Sequence, residues 1–296
     1  MKYFSYVLIT AARNEEKYIE STLKAVLSQT ILPDKWVIIS DASTDRTDDI
    51  IKSYQKNYNI IHFIRIDSHN DHSADFASKV IAINSGYEFL KNSVYNFIGH
   101  LDADITFEPS YYEDILKKFE ENPKLGIAGG FILEPIKGKY EYRPYNTSRS
   151  VAGGIQVFRR ECYESIGELI PLRMGGEDWY AEVKARMNGW EVKSFKNIHV
   201  YHHKSGVLVR GRLKESFRQG VMDYNLGSHP LFEIMKCIRR ITEKPHFLGI
   251  LIRILGFFWA YFLRRDKLVS EEFIKYIRRE QLMLIKDFFA TKRSLE

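Results

Sequence analysis

Asp102 and Asp104 are separated by one small residue, Ala103, at the end of the apolar run VYNFIGHLDADIT, residues 94–106. Val94, Phe97, Ile98 and Leu101 give the run β character, and no proline interrupts it. In α/β proteins ligands collect in the crevice beyond the carboxyl ends of the strands, so two acids there face a cleft rather than a core. Alternate residues of an extended segment point the same way, which lets Asp102 and Asp104 offer oxygens to one hard cation. Mg2+ or Mn2+ commonly takes one or two protein carboxylates and fills its other positions with water and phosphate oxygens. The competing reading is a turn in which both aspartates only cap the next helix. A second acidic pair, Glu177-Asp178, follows Gly175-Gly176 and opens a helix with Val183 and Met187 on its apolar side. A carboxylate at a helix N-terminus is well held and tends toward a lowered pKa, which suits a proton acceptor. Simple capping of the helix is the plainer alternative. Further on, His199, His202 and His203 cluster around Tyr201. Neutral imidazole ligates a borderline metal such as Mn2+, and His202 is the preferred candidate, against a structural role for the whole cluster.

These residues need a scaffold, and the first hundred positions supply one. Tyr6 to Ala11 is a buried strand, followed by a helix with Ile19, Leu23, Val26 and Leu27 on its apolar face and Asn14 as its cap. Trp36 to Ser40 is a second strand, ending in Asp41-Ala42-Ser43-Thr44-Asp45-Arg46-Thr47. A helix carrying Ile50, Ile51 and Tyr54 follows, then a strand from Ile60 to Ile66 and a helix from Phe76 to Leu90. Strands alternating with helices at this spacing predict an α/β fold with a mostly parallel sheet and helices on both faces. A dinucleotide site would place G-x-G-x-x-G directly after the first strand. Here the position is Thr10-Ala11-Ala12-Arg13-Asn14-Glu15, and no Walker-type glycine loop occurs anywhere. Recognition of a nucleotide therefore falls to acids at strand ends, and Asp41 is able to accept a hydrogen bond from a ribose hydroxyl or a base N–H. The alternative for residues 41–47 is a helix-capping turn.

TAARNEE after the first strand, SDASTDRT after the second, LDAD after the fourth and the later GGED resemble, in that order and spacing, the family 2 glycosyltransferases of the GT-A fold. The likeness covers roughly residues 5–230. It implies a nucleotide-diphosphate-sugar transferase, with a UDP-sugar favoured, and inversion at the anomeric carbon. By position it places Ala12, Arg13, Glu15, Asp41, Lys79, Asp102, Ala103 and Asp104 at the donor, with Mn2+ or Mg2+ on Asp102, Asp104 and His202. Lys79 stands where relatives often carry a basic residue facing the nucleotide; a solvated helix lysine is the alternative. Gly153 and Gly154 border the acceptor and the donor sugar, and Trp179 falls beside the acceptor. Asp178 becomes the base that removes the acceptor hydroxyl proton, with Glu177 as its neighbour. Arg210 and Arg212, in a loop, are placed on the diphosphate, because guanidinium binds phosphate oxygens in bidentate fashion.

Between these motifs, residues 125–133 look like a strand, residues 138–150 like an irregular flap, and residues 151–156 enter a strand that ends at Arg159. The expected organisation is a catalytic domain over residues 1–211 and a helical, membrane-associated region over residues 212–296. Within the latter, FLGILIRILGFFWAYFL is nearly all apolar but short for a span and broken by Arg253. His246, Trp259, Tyr261, Arg264, Arg265 and Lys267 around it suit an interfacial helix. The alternative is a helix buried against the catalytic domain or in a homodimer. A last amphipathic helix, residues 270–289, should turn Phe273, Ile277, Leu284 and Phe288 inward.

The chain has 296 residues, 45% hydrophobic and 28% charged, as an ordinary globular protein does. Cys162 and Cys237 make no disulfide framework, and the opening MKYFSYVLITAARNEE lacks a signal-peptide pattern. A cytoplasmic protein, peripheral on the inner face of the membrane, is the expectation. The net charge of +6 is concentrated late in the chain. That basic excess suits an anionic partner: a polyprenyl-pyrophosphate-linked or other saccharide acceptor, or lipid. No aromatic-basic platform for nucleic acid is present. Two rivals remain: a haloacid-dehalogenase-type phosphatase with Asp102 as nucleophile in Asp-x-Asp-x-Thr, and a catalytically inactive membrane-bound scaffold.

Overall fold

A computed structural model describes residues 5–67, 76–136, 138–143, 146–204, 212–239 and 246–293. The chain divides into two compact units, Met1–Gly206 and Val207–Glu296. In the first, β1 (Tyr6–Ala12), β2 (Lys35–Asp41), β3 (Ile61–Ile66) and β4 (Phe97–His100) alternate with α1 (Ile19–Leu27), α2 (Thr47–Gln55) and α3 (Phe76–Leu90). All four strands are parallel, in the order β3-β2-β1-β4. Tyr6, Leu8, Ile9, Trp36, Val37 and Ile38 are fully buried, as continuous apolar strands covered on both faces must be. Polar groups inside this core are answered: the Trp36 indole N–H donates to Thr10 Oγ1 at 2.9 Å, and the Tyr6 hydroxyl to the Ile31 carbonyl at 2.7 Å.

The second half of the sheet is mixed. β5 (Ile105–Phe107), α4 (Tyr111–Glu121), β6 (Leu125–Ile136), β7 (Lys139–Tyr142), β8 (Val157–Arg159), α5 (Arg160–Ile166), α6 (Glu177–Met187) and β9 (Glu191–His202) follow in the chain. Among the described residues these complete a nine-stranded sheet ordered β3-β2-β1-β4-β8-β6-β9-β5, with β7 beside β6. The β4–β8, β8–β6, β6–β7 and β5–β9 ladders are antiparallel, while β6 and β9 run parallel.

Several sequence expectations need correction. Val94 lies outside β4 and is 91% exposed. Asn14 does not cap α1; it takes a left-handed conformation, and its side-chain oxygen accepts the Thr44 N–H at 2.8 Å. Asparagine tolerates that conformation through such local bonds. Part of the expected flap, residues 139–142, is paired as β7. Residues 153–155 form a 3-10 turn rather than strand. The long β9 was not anticipated, because its apolar residues, Val192, Phe195, Ile198 and Val200, lack strict alternation.

The second unit holds α7 (Arg212–Asn225), α8 (Pro230–Arg239), α9 (His246–Phe262) and α10 (Glu271–Arg293). Helices α7 and α9 cross at two glycines: a Cβ on Gly220 would lie 2.0 Å from the Arg253 carbonyl oxygen, and one on Gly256 2.3 Å from that of Phe217. Such backbone contact needs glycine. Arg253 turns inward from α9. Its Nε donates to Glu233 at 2.8 Å, its Nη1 to Gln219 at 2.6 Å, and its Nη2 to Asp223. Lys236 reaches Asp223 at 3.0 Å. Burial pushes the Asp223 carboxyl up, but Lys236 and Arg253 outweigh it and hold it well below the carboxylate range. Along α10, Phe273, Ile277, Gln281 and Ile285 are buried, whereas Leu284 and Phe288 point outward, against expectation. A buried line spaced strictly by four drifts round the helix, leaving Leu284 and Phe288 off it. Among the described residues, no helix is long and apolar enough to cross a membrane.

Candidate active site

The parallel register aligns the carboxyl ends of β1, β2 and β4, so the residues after them share one edge of the sheet. There a cavity of about 570 Å³ opens within the first unit. Two loops form one end of it and brace each other. The Asn14 N–H donates to Ser43 Oγ at 3.2 Å and the Glu15 N–H to Thr47 Oγ1 at 2.7 Å. The Asp45 carboxylate accepts from the Thr47 and Glu16 backbones at 3.0 and 3.1 Å. Ala12, Arg13, Glu15 and Asp41 all line the cavity. Arg13 meets the buried Asp41 at 3.4 Å. Glu15 pairs through one oxygen with Lys204, while its other oxygen is buried without a hydrogen-bond partner among the described residues. Burial raises its pKa against the pull of Lys204.

The Asp-Ala-Asp turn is fixed from beneath by α1, whose Thr22 hydroxyl donates to the Ala103 carbonyl at 2.8 Å and accepts the Ile105 N–H at 3.2 Å. Residues 103–104 turn rather than extend, so the backbone is not the extended one expected, and each of the two carboxylates has its own partner. Asp102 Oδ1 meets Lys79 Nζ at 2.5 Å. Asp104 Oδ2 meets His202 Nε2 at 3.1 Å. The antiparallel β5–β9 register sets Ile105 opposite His202 and so brings that imidazole to Asp104. Burial opposes ionisation of Asp104, yet His202 holds its pKa below the ordinary value. His202 also contacts Glu134 at 3.3 Å. Burial lowers its basicity, but the two carboxylates win and lift it to about 9. His203 is engaged elsewhere, with Thr106 and with Tyr140, each at 2.8 Å.

At the other end of the cavity α6 presents Glu177 and Asp178. Asp178 accepts the Gly153 N–H at 3.2 Å and the Trp179 N–H at 2.7 Å. Glu177 is pushed up to about 7, first by burial and then by the Asp178 charge, and its Oε2 has no hydrogen-bond partner among the described residues. Burial alone would lower the Lys79 ammonium; Asp102, Glu177 and Asp178 outweigh it and keep it charged. Lys79 is thus no solvated helix residue. It stands between the two acidic pairs, on the first turn of α3.

Ala103, Asp104, Gly153 and Gly154 also line the cavity, but the ring of Trp179 is not part of its lining. Arg210 and the Arg212 side chain lie outside the described residues. Sequence reasoning missed Arg143, Ile132, Phe76 and Ser78, which line the cavity too. Arg143, a cation between two tyrosines in the KYEYRPY stretch, was the one legible hint.

The residues present offer a divalent cation at most a partial set of ligands. Among the described residues no three acidic, histidine or cysteine side chains are gathered so that they could hold a metal ion. Asp102 and Asp104 would offer hard oxygens to a cation that draws its other ligands from water and phosphate. His202, charged below about 9 and bonded through both ring nitrogens to Asp104 and Glu134, would have to release a proton to join them.

A curled α/β sheet with acids from separate strand ends and a Glu-Asp helix start around one cleft has the architecture of the GT-A glycosyltransferases. The chain matches the model of glycosyl transferase family 2 over residues 7–177 and belongs to that family. It is 30% identical over 271 residues to poly-beta-1,6-N-acetyl-D-glucosamine synthase of Staphylococcus aureus strain COL, covering 86% of this chain and 62% of that protein. With the synthase of the same name from Staphylococcus epidermidis it shares 30% over 177 residues, covering 54% of this chain and 40% of the relative. The chain therefore spans less than two thirds of these relatives. Among solved structures it is similar to the mannosyltransferase PcManGT from Pyrobaculum calidifontis in complex with GDP-Man and Mn2+, with a TM-score of 0.58 and 16% identity over 99% of this chain and 84% of that one. It is also similar to S. aureus TarS 1-349 in complex with UDP-GlcNAc, with a TM-score of 0.53 and 14% identity over 93% and 78%. At such identities the structural likeness establishes the fold. The family match sets aside the phosphatase reading of Asp102.

Proposed function

We propose that the protein transfers a sugar, with inversion, from a nucleotide-diphosphate donor to a hydroxyl of a saccharide or polyprenyl-pyrophosphate-linked acceptor. The observation that carries this is the convergence of Asp41, the Asp102–Asp104 turn and the Glu177-Asp178 helix start on one cavity. Asp41 takes the ribose or base by accepting a hydrogen bond. Asp102, Asp104 and His202 would hold Mn2+ or Mg2+. Such an ion, when bound, neutralises charge developing on the departing diphosphate. Lys79 adds a half-buried positive charge beside Asp102 for the same purpose. At the far end, Asp178 accepts the proton of the attacking hydroxyl. The new bond from that oxygen to the anomeric carbon forms as the bond to the diphosphate oxygen breaks, and the nucleoside diphosphate leaves. Gly153 and Gly154 keep the wall between the two ends thin, so that donor sugar and acceptor can meet.

A UDP-sugar is the favoured donor, in keeping with the UDP-GlcNAc complex of one structural neighbour, although another binds GDP-Man. The synthases among the relatives make polysaccharide by name, which supports a saccharide acceptor. The second unit supports action at the inner membrane face. On α9, Leu248, Leu251, Leu255, Trp259 and Phe262 are exposed at helical spacing, with Leu255 54% and Phe262 75% accessible. Arg264 and Arg265 follow, exposed. An apolar stripe bordered by cations suits an anionic bilayer surface, and Arg253 does not spoil it because it faces inward.

The test is release of nucleoside diphosphate from a panel of nucleotide sugars with Mn2+, Mg2+ or EDTA, by wild type and Asp104→Ala. Metal-dependent release from one donor, lost in the variant, is expected. No turnover and no metal-dependent binding of any donor refutes the assignment and leaves the scaffold reading.

A further inference from the structure

The segment 150–156 touches both working carboxylates, and one buried acid outside the cavity holds it. The Gly153 N–H donates to Asp178 Oδ2 at 3.2 Å, and the Gly154 carbonyl accepts the Asp102 N–H at 3.0 Å. Gln156 Nε2 ties the segment to itself and to α6, donating to the carbonyls of Val151 at 3.2 Å and Asp178 at 3.3 Å. There is no slack at the Gly154 end and little at the Gly153 end. A Cβ on Gly153 would lie 3.0 Å from Asp178 Cβ, and one on Gly154 2.2 Å from Asp102 Oδ2. The segment is a bracket joining the donor-side carboxylate to the acceptor-side one.

Its upstream end is fastened by Glu182, one turn beyond Asp178 on α6. Glu182 Oε1 accepts the Val151 N–H at 2.6 Å and the Ser150 hydroxyl at 3.0 Å. The side chain is 1% exposed, and Arg186 Nη1 is 3.8 Å from its other oxygen. Ser194 of β9 supports the same end, its hydroxyl donating to the Ser150 carbonyl at 2.7 Å. Glu182 does not line the cavity. A carboxylate is a costly group to bury where an alkyl side chain would simply pack, so its two bonds to the bracket are the reason to look for a role.

We infer that Glu182 is a positioning residue, which pins the 150–156 bracket and so sets the spacing between Asp102 and Asp178. This rests on the reading of those two aspartates given above. Glu182 touches no substrate; it acts through the backbone it holds. Loosening the bracket moves Asp178 against the donor, whereas Asp102 keeps Lys79 as an independent tether. Misplacement of a reacting group by about 1 Å costs about a hundredfold in rate. The loss should therefore fall on turnover rather than on nucleotide affinity.

Two measurements on Glu182→Ala and Glu182→Gln test this. Amide hydrogen exchange on the full chain reads the bracket without any activity: in Glu182→Ala, exchange should quicken about tenfold at Val151, Gly153 and the distant Asp102. In Glu182→Gln, whose amide oxygen still accepts the Val151 N–H, exchange should stay near wild type. Turnover of UDP-N-acetylglucosamine with Mn2+ should fall about a hundredfold in kcat for the alanine variant, with UDP affinity within about threefold and the glutamine variant close to wild type. Unchanged exchange at Asp102 and Gly153, or equal damage by both substitutions, overturns the inference. Should the alanine variant not fold, Ser150→Ala removes one of the two bonds, and the same exchange pattern decides. Wild type that turns over no nucleotide sugar refutes the catalytic reading instead, and leaves the exchange result standing on its own.

Discussion

Gly154→Ala isolates the contact on which the donor site depends. Gly154 does not adopt a left-handed backbone, so alanine meets no conformational penalty there. Its methyl group, however, would lie 2.2 Å from Asp102 Oδ2, 2.4 Å from Cγ and 3.0 Å from Cβ. Carbon atoms rest about 3.5–4.0 Å apart, so the side chain or the turn must give by about 1 Å. Asp102 has little freedom to do so. Its carboxylate is paired with Lys79 at 2.5 Å, and its N–H is bonded to the Gly154 carbonyl itself at 3.0 Å. A displacement of that size costs about 10²-fold, equivalent to roughly 2.7 kcal/mol of transition-state stabilisation. Calorimetric binding of UDP with Mn2+ and turnover of UDP-N-acetylglucosamine read the effect, with a thermal melt to show that the fold persists. Gly153→Ala is the internal control. Its methyl group would meet Asp178 at 3.0–3.4 Å, a contact that a few tenths of an ångström relieve, so its loss should be several-fold smaller. A well-folded Gly154→Ala protein with nucleotide binding and turnover within threefold of wild type would refute the placement of Asp102 at the donor.

Three further outcomes follow from the same structure. Arg253→Met should destabilise the chain by about 3–5 kcal/mol, because Asp223 and Glu233 are left as buried acids with only Lys236 beside them; denaturant unfolding with a loss under about 1 kcal/mol would contradict the ion cluster. Glu182 is pushed up to about 8, chiefly by burial, with Asp178 adding to the rise and Arg186 and the bonds from Val151 and Ser150 opposing it. The folded state therefore holds a proton that the unfolded chain releases near 4.5, so this stability is complete below that pH and is lost as pH rises through about 8. Glu182→Gln, which stays neutral, should gain on wild type across that window by up to roughly 5 kcal/mol, and parallel melting curves from pH 5 to 9 would refute the shift. Leu255→Glu combined with Phe262→Glu should abolish co-sedimentation with phosphatidylglycerol vesicles while leaving UDP binding intact, and equal sedimentation of variant and wild type removes the bilayer from the account.

What was legible in the sequence was the part that local pattern specifies. Continuous apolar strands and the 3.6-residue period of α1 and α3 place the first half of the sheet, and acids after strand ends mark the cleft. The second half depends on pairings between distant residues. β9 joins β6 in parallel and β5 antiparallel, and only that double pairing delivers His202 to Asp104 and Glu134. No local signal distinguishes His202 from His203, one residue away and bonded to Thr106 and Tyr140. The Asp-Ala-Asp turn misled for a related reason: alternation assumes extended backbone, but Thr22 on α1 pins Ala103 and Ile105 into a turn. Lys79 could not be settled from its own helix either, because the acids that define its role arrive from β4 and α6.

Arg253 shows the same limit with the opposite sign. In sequence it is a lone charge that argues against lipid, since an unpaired arginine is costly there. In the fold its guanidinium is spent on Asp223, Glu233 and Gln219, residues some 20 to 34 positions earlier. The charge that made α9 unsuitable for a bilayer is therefore what fastens α9 to α7 and α8. It also fixes which way the helix faces: with Arg253 inward, Leu248, Leu251, Leu255 and Phe262 are left outside. The apolar stripe and the buried arginine are two consequences of one rotation of the helix. A substitution that released Arg253 would thus disturb both the packing of the second unit and its exposed apolar stripe.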